Sequence, residues 1–110
     1  MKITDLCKTE VDDWQKMEFE GQSSDQLNFF HALYGISFHA SIRDDNTLHV
    51  SVGPIRNCRP DFTDEEHAFF ILKKTPEILM LFCGERSFQH MPPHPAKPDV
   101  NHYFSKLRRL

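Results

Sequence analysis

The most regular pattern of hydrophobic and polar positions in the chain lies in residues 36–52. Apolar residues occupy every second position on both sides of a short polar segment: Ile36, Phe38, Ala40 and Ile42, then Leu48, Val50 and Val52. A period of two residues predicts two β-strands, each with one apolar face, joined as a hairpin. A three-residue loop, Asp44–Asn46, keeps the apolar residues opposite one another by pairing Ile42 with Leu48. Asn46 tolerates the left-handed conformation that this loop requires at its third position.

The other face of the predicted hairpin is polar and rich in serine and histidine. The same register places Ser41 opposite His49. It places His39 opposite Ser51, so the two histidines lie on a diagonal across the strand pair. This face is either a binding surface or a solvated sheet face. As a candidate binding surface it comprises, with two arginines that follow the hairpin, His39, Ser41, Arg43, His49, Ser51, Arg56 and Arg59.

Residues 1–35 are predicted to be helical, because their apolar residues recur near the 3.6-residue helical period. Thr4 is suited to cap a first helix whose apolar positions are Ile3, Leu6, Cys7, Val11, Trp14 and Met17. Ser23 and Gln26 have the spacing of a capping box and predict the start of a second helix. That helix would bury Leu27, Phe30, Leu33 and Tyr34 and end at Gly35.

A third helix is predicted to begin near residue 63. Thr63 and Glu66 form a second capping box, followed by apolar positions at Ala68, Phe69 and Leu72. Thr75 and Pro76 predict the start of another short helix that ends at Gly84. The competing interpretation makes Ile78–Phe82 a buried strand. We favour the helix, because residues suited to its start and its end are both present.

The remaining segments predict shorter elements. Pro54 and Pro60 predict an irregular segment over Gly53–Pro60. Residues 88–91 predict a strand, and residues 101–104 a strand or a short helix. The fold class is therefore α+β. A single domain spans residues 1–110, in which helices pack on one face of an antiparallel sheet that contains hairpin 36–52.

Composition adds limits on the class of protein. Of the 110 residues, 39% are hydrophobic and 26% are charged, as in ordinary folded domains. No apolar run reaches the roughly 20 residues that cross a bilayer, and the first residues lack a signal peptide's apolar core. Three cysteines without a CxxC motif indicate a reducing compartment rather than a disulfide framework, so we expect a cytoplasmic protein. Cys7 and Cys83 fall at apolar positions of their predicted helices and are expected in the core.

Charge is unevenly distributed along the chain. The net charge is −3, but residues 86–110 hold five basic residues against Asp99 alone, whereas residues 1–35 hold three lysines and seven acids. An acidic protein is not the usual partner of nucleic acid. The basic tail, Lys106–Leu110, could contact phosphate or an acidic partner, although such tails more often complement a helix end.

Histidines and cysteines supply the candidate chemistry. Seven histidines are present, and His39, His49 and His90 would form a three-histidine metal site with an open position if strand 88–91 lay beside the hairpin. The chain lacks HExxH, HxH and CxxC motifs, so we expect no cofactor. Cys58 lies between Arg56 and Arg59, whose charge favours a thiolate. Helix capping accounts for Asp64, Glu65 and Glu66 without a metal.

Several residues in order resemble a family of small phage and prophage proteins. The resemblance covers residues 36–104 and is carried by His49–Val52, Arg56, Arg59-Pro60, Phe62–Glu66, Gln89-His90, Pro92-Pro93 and Val100–His102. Phe62 stands where that family usually carries tryptophan. The family has no assigned activity, so the resemblance implies a phage or prophage origin and a bacterial host cell, but no mechanism.

These observations favour a non-enzymatic accessory protein that binds a host or defence macromolecule, most simply a protein. An immunity protein whose acidic N-terminal third covers a basic toxin is an alternative of the same class. The alternative of a different class is a metal-dependent hydrolase or nuclease that uses His39, His49 and His90. Homodimerisation through an uncovered apolar or sheet-edge surface is compatible with the pattern.

Overall fold

An antiparallel sheet forms the centre of the protein in the computed structural model. The structure describes residues 2–43, 47–55, 61–85, 89–91 and 101–106, the last two ranges by their backbone alone. Within these ranges the sheet has six strands, which are β1 (Gln15–Lys16), β2 (Gln26–His31), β3 (Ile36–Ile42), β4 (Thr47–Pro54), β5 (Gln89–Met91) and β6 (Asn101–Lys106). Their order across the sheet is β1-β2-β3-β4-β6-β5. One long helix, α1 (Asp64–Cys83), packs on this sheet, so the α+β class is confirmed.

The predicted hairpin is confirmed, including its register. β3 and β4 pair with Ile42 opposite Leu48, Ala40 opposite Val50 and Phe38 opposite Val52. The apolar side chains of the two strands are buried except for the half-buried Ile42, and the polar ones between them are half-buried. The loop residues Asp44–Asn46 lie outside the described residues. Because a shift of one residue would exchange the two faces, the apolar pattern excludes such a shift, and the short predicted loop selects the register in which Ile42 pairs with Leu48.

The first predicted helix is wrong. Residues 2–14 hold a single turn of 3-10 helix, Ile3–Asp5, and Asp13 has a φ angle of 69°, which a right-handed helix does not allow. The rest of the segment is irregular chain, and its 3-10 turn contacts β3 of the sheet. Four of its apolar side chains still enter the core: Ile3, Leu6, Cys7 and Trp14. The spacing therefore identified buried side chains, but it did not identify the backbone conformation.

The second predicted helix is also wrong, because this segment forms strand β2. Leu27 and Phe29 are buried on the helix-covered face, where they pair with Ala40 and Phe38 of β3. Leu33, which the predicted helix would have buried, is 75% exposed. The Ser23 Oγ accepts a hydrogen bond from the Asp25 backbone N–H instead of capping a helix. Pairing with β3 therefore outweighed the local helical spacing.

The helix predicted from residue 63 is confirmed. Thr63 Oγ accepts from the Glu66 backbone N–H, and Glu66 Oε1 accepts from the Thr63 backbone N–H. These hydrogen bonds from Thr63 lower the pKa of the exposed Glu66 carboxyl. Gly84 has a φ angle of 69° and ends the helix with a hydrogen bond from its N–H to the Met80 carbonyl.

α1 continues past Pro76, so the predicted division into two helices is wrong. Ile78–Phe82 are helical, as expected. Proline has no N–H for the carbonyl of Leu72, but both residues lie on the exposed side of the helix. Water can therefore satisfy that carbonyl, and the helix continues to Cys83.

The segment that follows the hairpin is extended further than predicted. Gly53 and Pro54 were expected to be irregular, yet they pair with Ser37 and Ile36 at the end of β4. Residues 56–60 lie outside the described residues. The predicted strand at 88–91 is confirmed for Gln89–Met91, and the strand alternative is confirmed for residues 101–104.

The core lies between one face of the sheet and α1 together with the N-terminal segment. Phe82 of α1 stacks on Phe38 of β3 with ring centroids 4.1 Å apart, and it contacts Phe29 at 4.9 Å. The Trp14 ring meets the Phe82 ring edge-on at 5.1 Å. Neither helix in the described part of the chain has the length and apolar character that crossing a membrane requires.

Candidate functional site

The polar face of the sheet presents the candidate residues predicted from the sequence. His39 lies opposite Ser51 and His49 opposite Ser41, so the predicted diagonal of histidines is present. All four side chains are half-buried, and Arg43 beyond them is exposed. Arg56 and Arg59, the other members of this candidate surface, lie outside the described residues, as does Cys58.

Hydrogen bonds within this face engage its histidines. Asn28 Oδ1 and His39 Nδ1 are in hydrogen-bonding contact, so the His39 ring donates from Nδ1. His49 Nε2 lies 3.0 Å from Thr47 Oγ1. The Ser37 hydroxyl donates to the Gly53 carbonyl at 3.3 Å. The Asn28–His39 and Ser37–Gly53 contacts join neighbouring strands, and the His49–Thr47 contact lies within β4; all are ordinary structural roles for polar residues on a sheet.

The three histidines of the metal hypothesis do not share one pair of adjacent strands. β6 lies between β4, which carries His49, and β5, which carries His90. His90 pairs with Tyr103, and Tyr103 pairs with Val50, so the backbone register aligns His90 with Val50 and not with His49. Among the residues whose side chains are described, no group of three or more His, Cys, Asp or Glu is placed to hold a metal ion.

A second histidine site, which the sequence analysis missed, lies at the end of β2. The rings of His31 and Tyr34 stack with centroids 3.8 Å apart, and Trp14 meets His31 edge-on at 5.3 Å. His31 is buried although it is polar. The predicted second helix buries Leu27, Phe30, Leu33 and Tyr34, and His31 is not among its buried positions. The period of β2, in which Leu27, Phe29 and His31 share a face, could have revealed it.

Two buried histidines hold the turn between β2 and β3. The Tyr34 backbone N–H donates to His31 Nδ1 at 3.1 Å, which requires an unprotonated Nδ1. The Tyr34 carbonyl accepts from Nε2 of His67, a residue of α1 that is 2% exposed. Burial lowers the pKa of the His31 imidazole from its ordinary value of about 6.5, and the Asp13 carboxylate offsets this only in part. The His31 imidazole therefore stays neutral to a lower pH than an ordinary histidine, because its pKa is lowered.

Two adjoining cavities of about 470 and 130 Å³ open beside these rings. Both are lined by Asp13, Trp14, His31 and Tyr34, and the smaller one also by Lys74 and Glu77. Lys74 Nζ lies 5.5 Å from the centroid of the Tyr34 ring and 3.3 Å from Glu77 Oε2. The Lys74 ammonium of the chain itself therefore already lies over the face of the Tyr34 ring. The arrangement joins α1 to the N-terminal segment, and no described Ser, Thr or Cys side chain lines either cavity.

An apolar stripe on the outward side of α1 is the most unusual surface feature. Phe69, Leu72 and Met80 are 69%, 51% and 53% exposed. Together with the exposed Pro76 they occur at intervals of three and four residues, so they lie along one side of the helix. We call these four residues the outer stripe. The opposite side of α1 carries the buried residues: His67, Ile71, Thr75, Ile78, Leu79, Phe82 and Cys83.

The outer stripe could have been recognised from the sequence once α1 was taken as one continuous helix. A helix that is apolar on two opposite sides buries one side in its own core and leaves the other uncovered. The stripe lies among exposed acids, including Glu65 and Glu77, with Lys73 as an exposed base. Its surroundings are therefore mostly acidic.

Comparison of the chain with protein-family models, curated proteins and solved structures finds no match.

Proposed function

We propose that the protein acts by binding another protein, without catalysing a reaction, and that the outer stripe of α1 is its contact surface. The observation that carries this proposal is the exposure of Phe69, Leu72 and Met80, each more than half accessible on one side of the helix. Adjacent exposed apolar side chains on a folded domain are typical of protein contact sites. Spacings of three and four residues also suit a helix that lies in a partner's groove.

Charge indicates the chemistry of the partner. Residues 1–85 hold 15 acidic and 8 basic residues, and the acids Glu65 and Glu77 lie beside the outer stripe. Opposite charges around an apolar contact speed association and select the partner. We therefore propose a partner with an apolar groove bordered by Lys and Arg. A basic toxin covered by an immunity protein would have this chemistry.

The origin of the partner is the part of the proposal that comes from resemblance. The phage and prophage proteins that residues 36–104 resemble act within a bacterial host. On that ground the partner is a host or defence protein, and the chain is a phage or prophage accessory protein. The polar sheet face is the less favoured contact surface, since its histidines already engage neighbouring residues.

The test compares partner capture by three forms of the full chain in a bacterial host lysate. In Phe69→Ala/Leu72→Ala the two apolar contacts are removed, and retention of the specific partner should fall at least about tenfold. Lys73→Ala is the matched control from the same side of α1. Removing this base should leave retention unchanged or increase it, because the partner is basic. Raising the salt concentration should weaken capture by the unaltered chain.

Thermal unfolding must first show that both variants fold like the parent. Equal retention by the parent and the double variant would refute the outer stripe as contact surface. A captured partner that is acidic, or binding that increases with salt, would refute the proposed charge complementarity. Analytical ultracentrifugation of the chain alone provides a further check. A dimer that dissociates in the double variant would show that the stripe binds a second copy instead of a basic partner.

A further inference from the structure

We propose that Cys7 and Cys83 are a disulfide-forming site, oxidised by a peroxide to an intramolecular bond that ties the N-terminal segment to the end of α1. Their Sγ atoms lie 3.5 Å apart, although the two residues are 76 positions apart in the chain. Both are thiols in the structure, and each is 5% exposed. The sequence placed them separately in the core and gave no reason to pair them.

The backbone on both sides of the pair is already fixed in position. The Lys8 N–H donates to the Phe82 carbonyl at 2.8 Å, so the residues adjoining the two cysteines are hydrogen-bonded to each other. The Cys7 N–H donates to the Ile3 carbonyl at 3.0 Å, which closes the turn before it. A disulfide requires an Sγ–Sγ distance of about 2.05 Å. Side-chain rotation can supply this approach without docking a new segment.

A small oxidant can approach the pair from one side. An open depression of about 520 Å³ is lined by residues 4–10 and 82–84, and both cysteines are among its lining residues. Because each thiol is only slightly exposed, a molecule the size of hydrogen peroxide has better access than a bulky disulfide reagent. The depression therefore favours a peroxide as the class of oxidant.

The reaction consumes one peroxide for each disulfide. One thiol loses its proton, and its thiolate attacks a peroxide oxygen; the O–O bond breaks and the departing hydroxide takes up a proton to become water. The second thiolate then attacks the sulfur of the sulfenic acid. The S–S bond forms, the S–O bond breaks, and the oxygen leaves as a second water molecule. Two thiols are oxidised by two electrons in total, and hydrogen peroxide is reduced to two waters.

The bond would restrict the unfolded chain and fasten the segment that carries Trp14. Cross-linking residues so far apart in sequence removes many conformations of the unfolded chain, so the oxidised protein should unfold at a higher temperature than the reduced one. Trp14 packs against His31 and Phe82, next to Cys83. Oxidation would therefore stabilise the same corner of the core that contains the His31–Tyr34 turn.

The experiment uses the full chain with Cys58→Ser, which leaves only the two cysteines in question. After treatment with hydrogen peroxide, titratable thiols should fall from two to none, and the mass should fall by two hydrogens. The protein should remain a monomer on a non-reducing gel. Its melting temperature should rise and return to the starting value when dithiothreitol is added.

Cys7→Ala/Cys58→Ser and Cys83→Ala/Cys58→Ser are the matched controls. Each has one thiol and should gain oxygen or form intermolecular dimers, with no increase in melting temperature. The proposal is overturned if Cys58→Ser keeps both thiols, gains only oxygen, or cross-links only between molecules. A bond that forms without raising the melting temperature would overturn its stabilising role. The main test does not depend on folding of the control variants.

Discussion

The two faces of the central sheet differ in chemistry and burial, although alternating residues of the same strands form them. On one face Phe29 and Phe38 are almost completely buried and pack against Phe82 of α1. On the other face His39 and Ser51 are half-buried, and no helix of the described chain packs over them. The first face holds the fold together through apolar contact. On the second face polar side chains join neighbouring strands through hydrogen bonds, from His39 to Asn28 and from Ser37 to the Gly53 carbonyl.

The comparison shows why neither a histidine-rich face nor an apolar pattern indicates function by itself. The histidines of the polar face have local hydrogen-bond partners, and the apolar side chains of the inner face have α1. Among the described residues, the outer stripe is the set of exposed apolar side chains that share one side of a helix, whereas the exposed Phe19 and Leu33 lie elsewhere in the chain. We therefore expect substitutions on the two sheet faces to change the free energy of unfolding, and substitutions in the outer stripe to change partner binding.

The largest effect is expected for Phe82→Ala on the inner face. The Phe82 ring is 1% exposed and contacts the rings of Phe38, Phe29 and Trp14, so truncation would leave a cavity between helix and sheet. We expect the free energy of unfolding to fall by about 3–5 kcal/mol. Urea denaturation followed by circular dichroism measures the change.

Met80→Ala is the matched control, because it lies two positions earlier on the same helix and is 53% exposed. Its effect on unfolding should stay within about 0.5 kcal/mol. Equal destabilisation by the two variants would mean that α1 does not present Phe82 to the sheet as described.

An intermediate effect is expected from the protonation of His31 at the edge of the inner face. Its pKa is lowered in the folded state, so as the pH falls the unfolded chain binds this proton before the folded chain does. The neutral His31 ring therefore contributes fully to the free energy of unfolding above about pH 6.5, and this contribution is lost as the pH falls through the folded-state pKa. One proton can change the free energy of unfolding by no more than about 1.4 kcal/mol per pH unit.

NMR titration of the imidazole gives the folded-state pKa directly, and a value at or above that of an ordinary histidine would contradict the prediction. Unfolding of His31→Gln between pH 7.5 and 5.5 provides the second measurement. The variant should lose less stability than the parent over this interval. Asp13, Lys74 and Glu77 line the smaller cavity beside His31, and these three residues are unchanged in the variant.

The parts of the fold that the sequence predicted well are those with local signals. Residues 36–52 carry a strict two-residue alternation, and a register error would have buried His39 or exposed Phe38. The capping box of Thr63 and Glu66 likewise specified where α1 begins without reference to the rest of the chain. Gly84 specified its end in the same way.

The parts that failed depend on partners far away in sequence. β2 carries apolar residues whose spacing also suits a helix, and only pairing with β3 decides in favour of a strand. The contact between Cys7 and Cys83 could not be predicted either, because the two residues are 76 positions apart and no local pattern links them. The outer stripe was missed for a different reason. Pro76 suggested two short helices, and the exposed side becomes visible only on one long helix.

The smallest effect is expected on the polar face, and it tests the surface first suggested by the sequence. Ser41→Ala/Ser51→Ala removes two half-buried hydroxyls without creating a cavity, and unfolding should change by less than about 1 kcal/mol. If this face only joins strands, partner capture should also equal that of the parent, in contrast to Phe69→Ala/Leu72→Ala. Isothermal titration with the captured partner measures both variants on one scale. A tenfold loss of affinity in the serine variant, with the stripe variant unaffected, would move the contact surface to the polar face, because only a direct contact would couple those hydroxyls to binding.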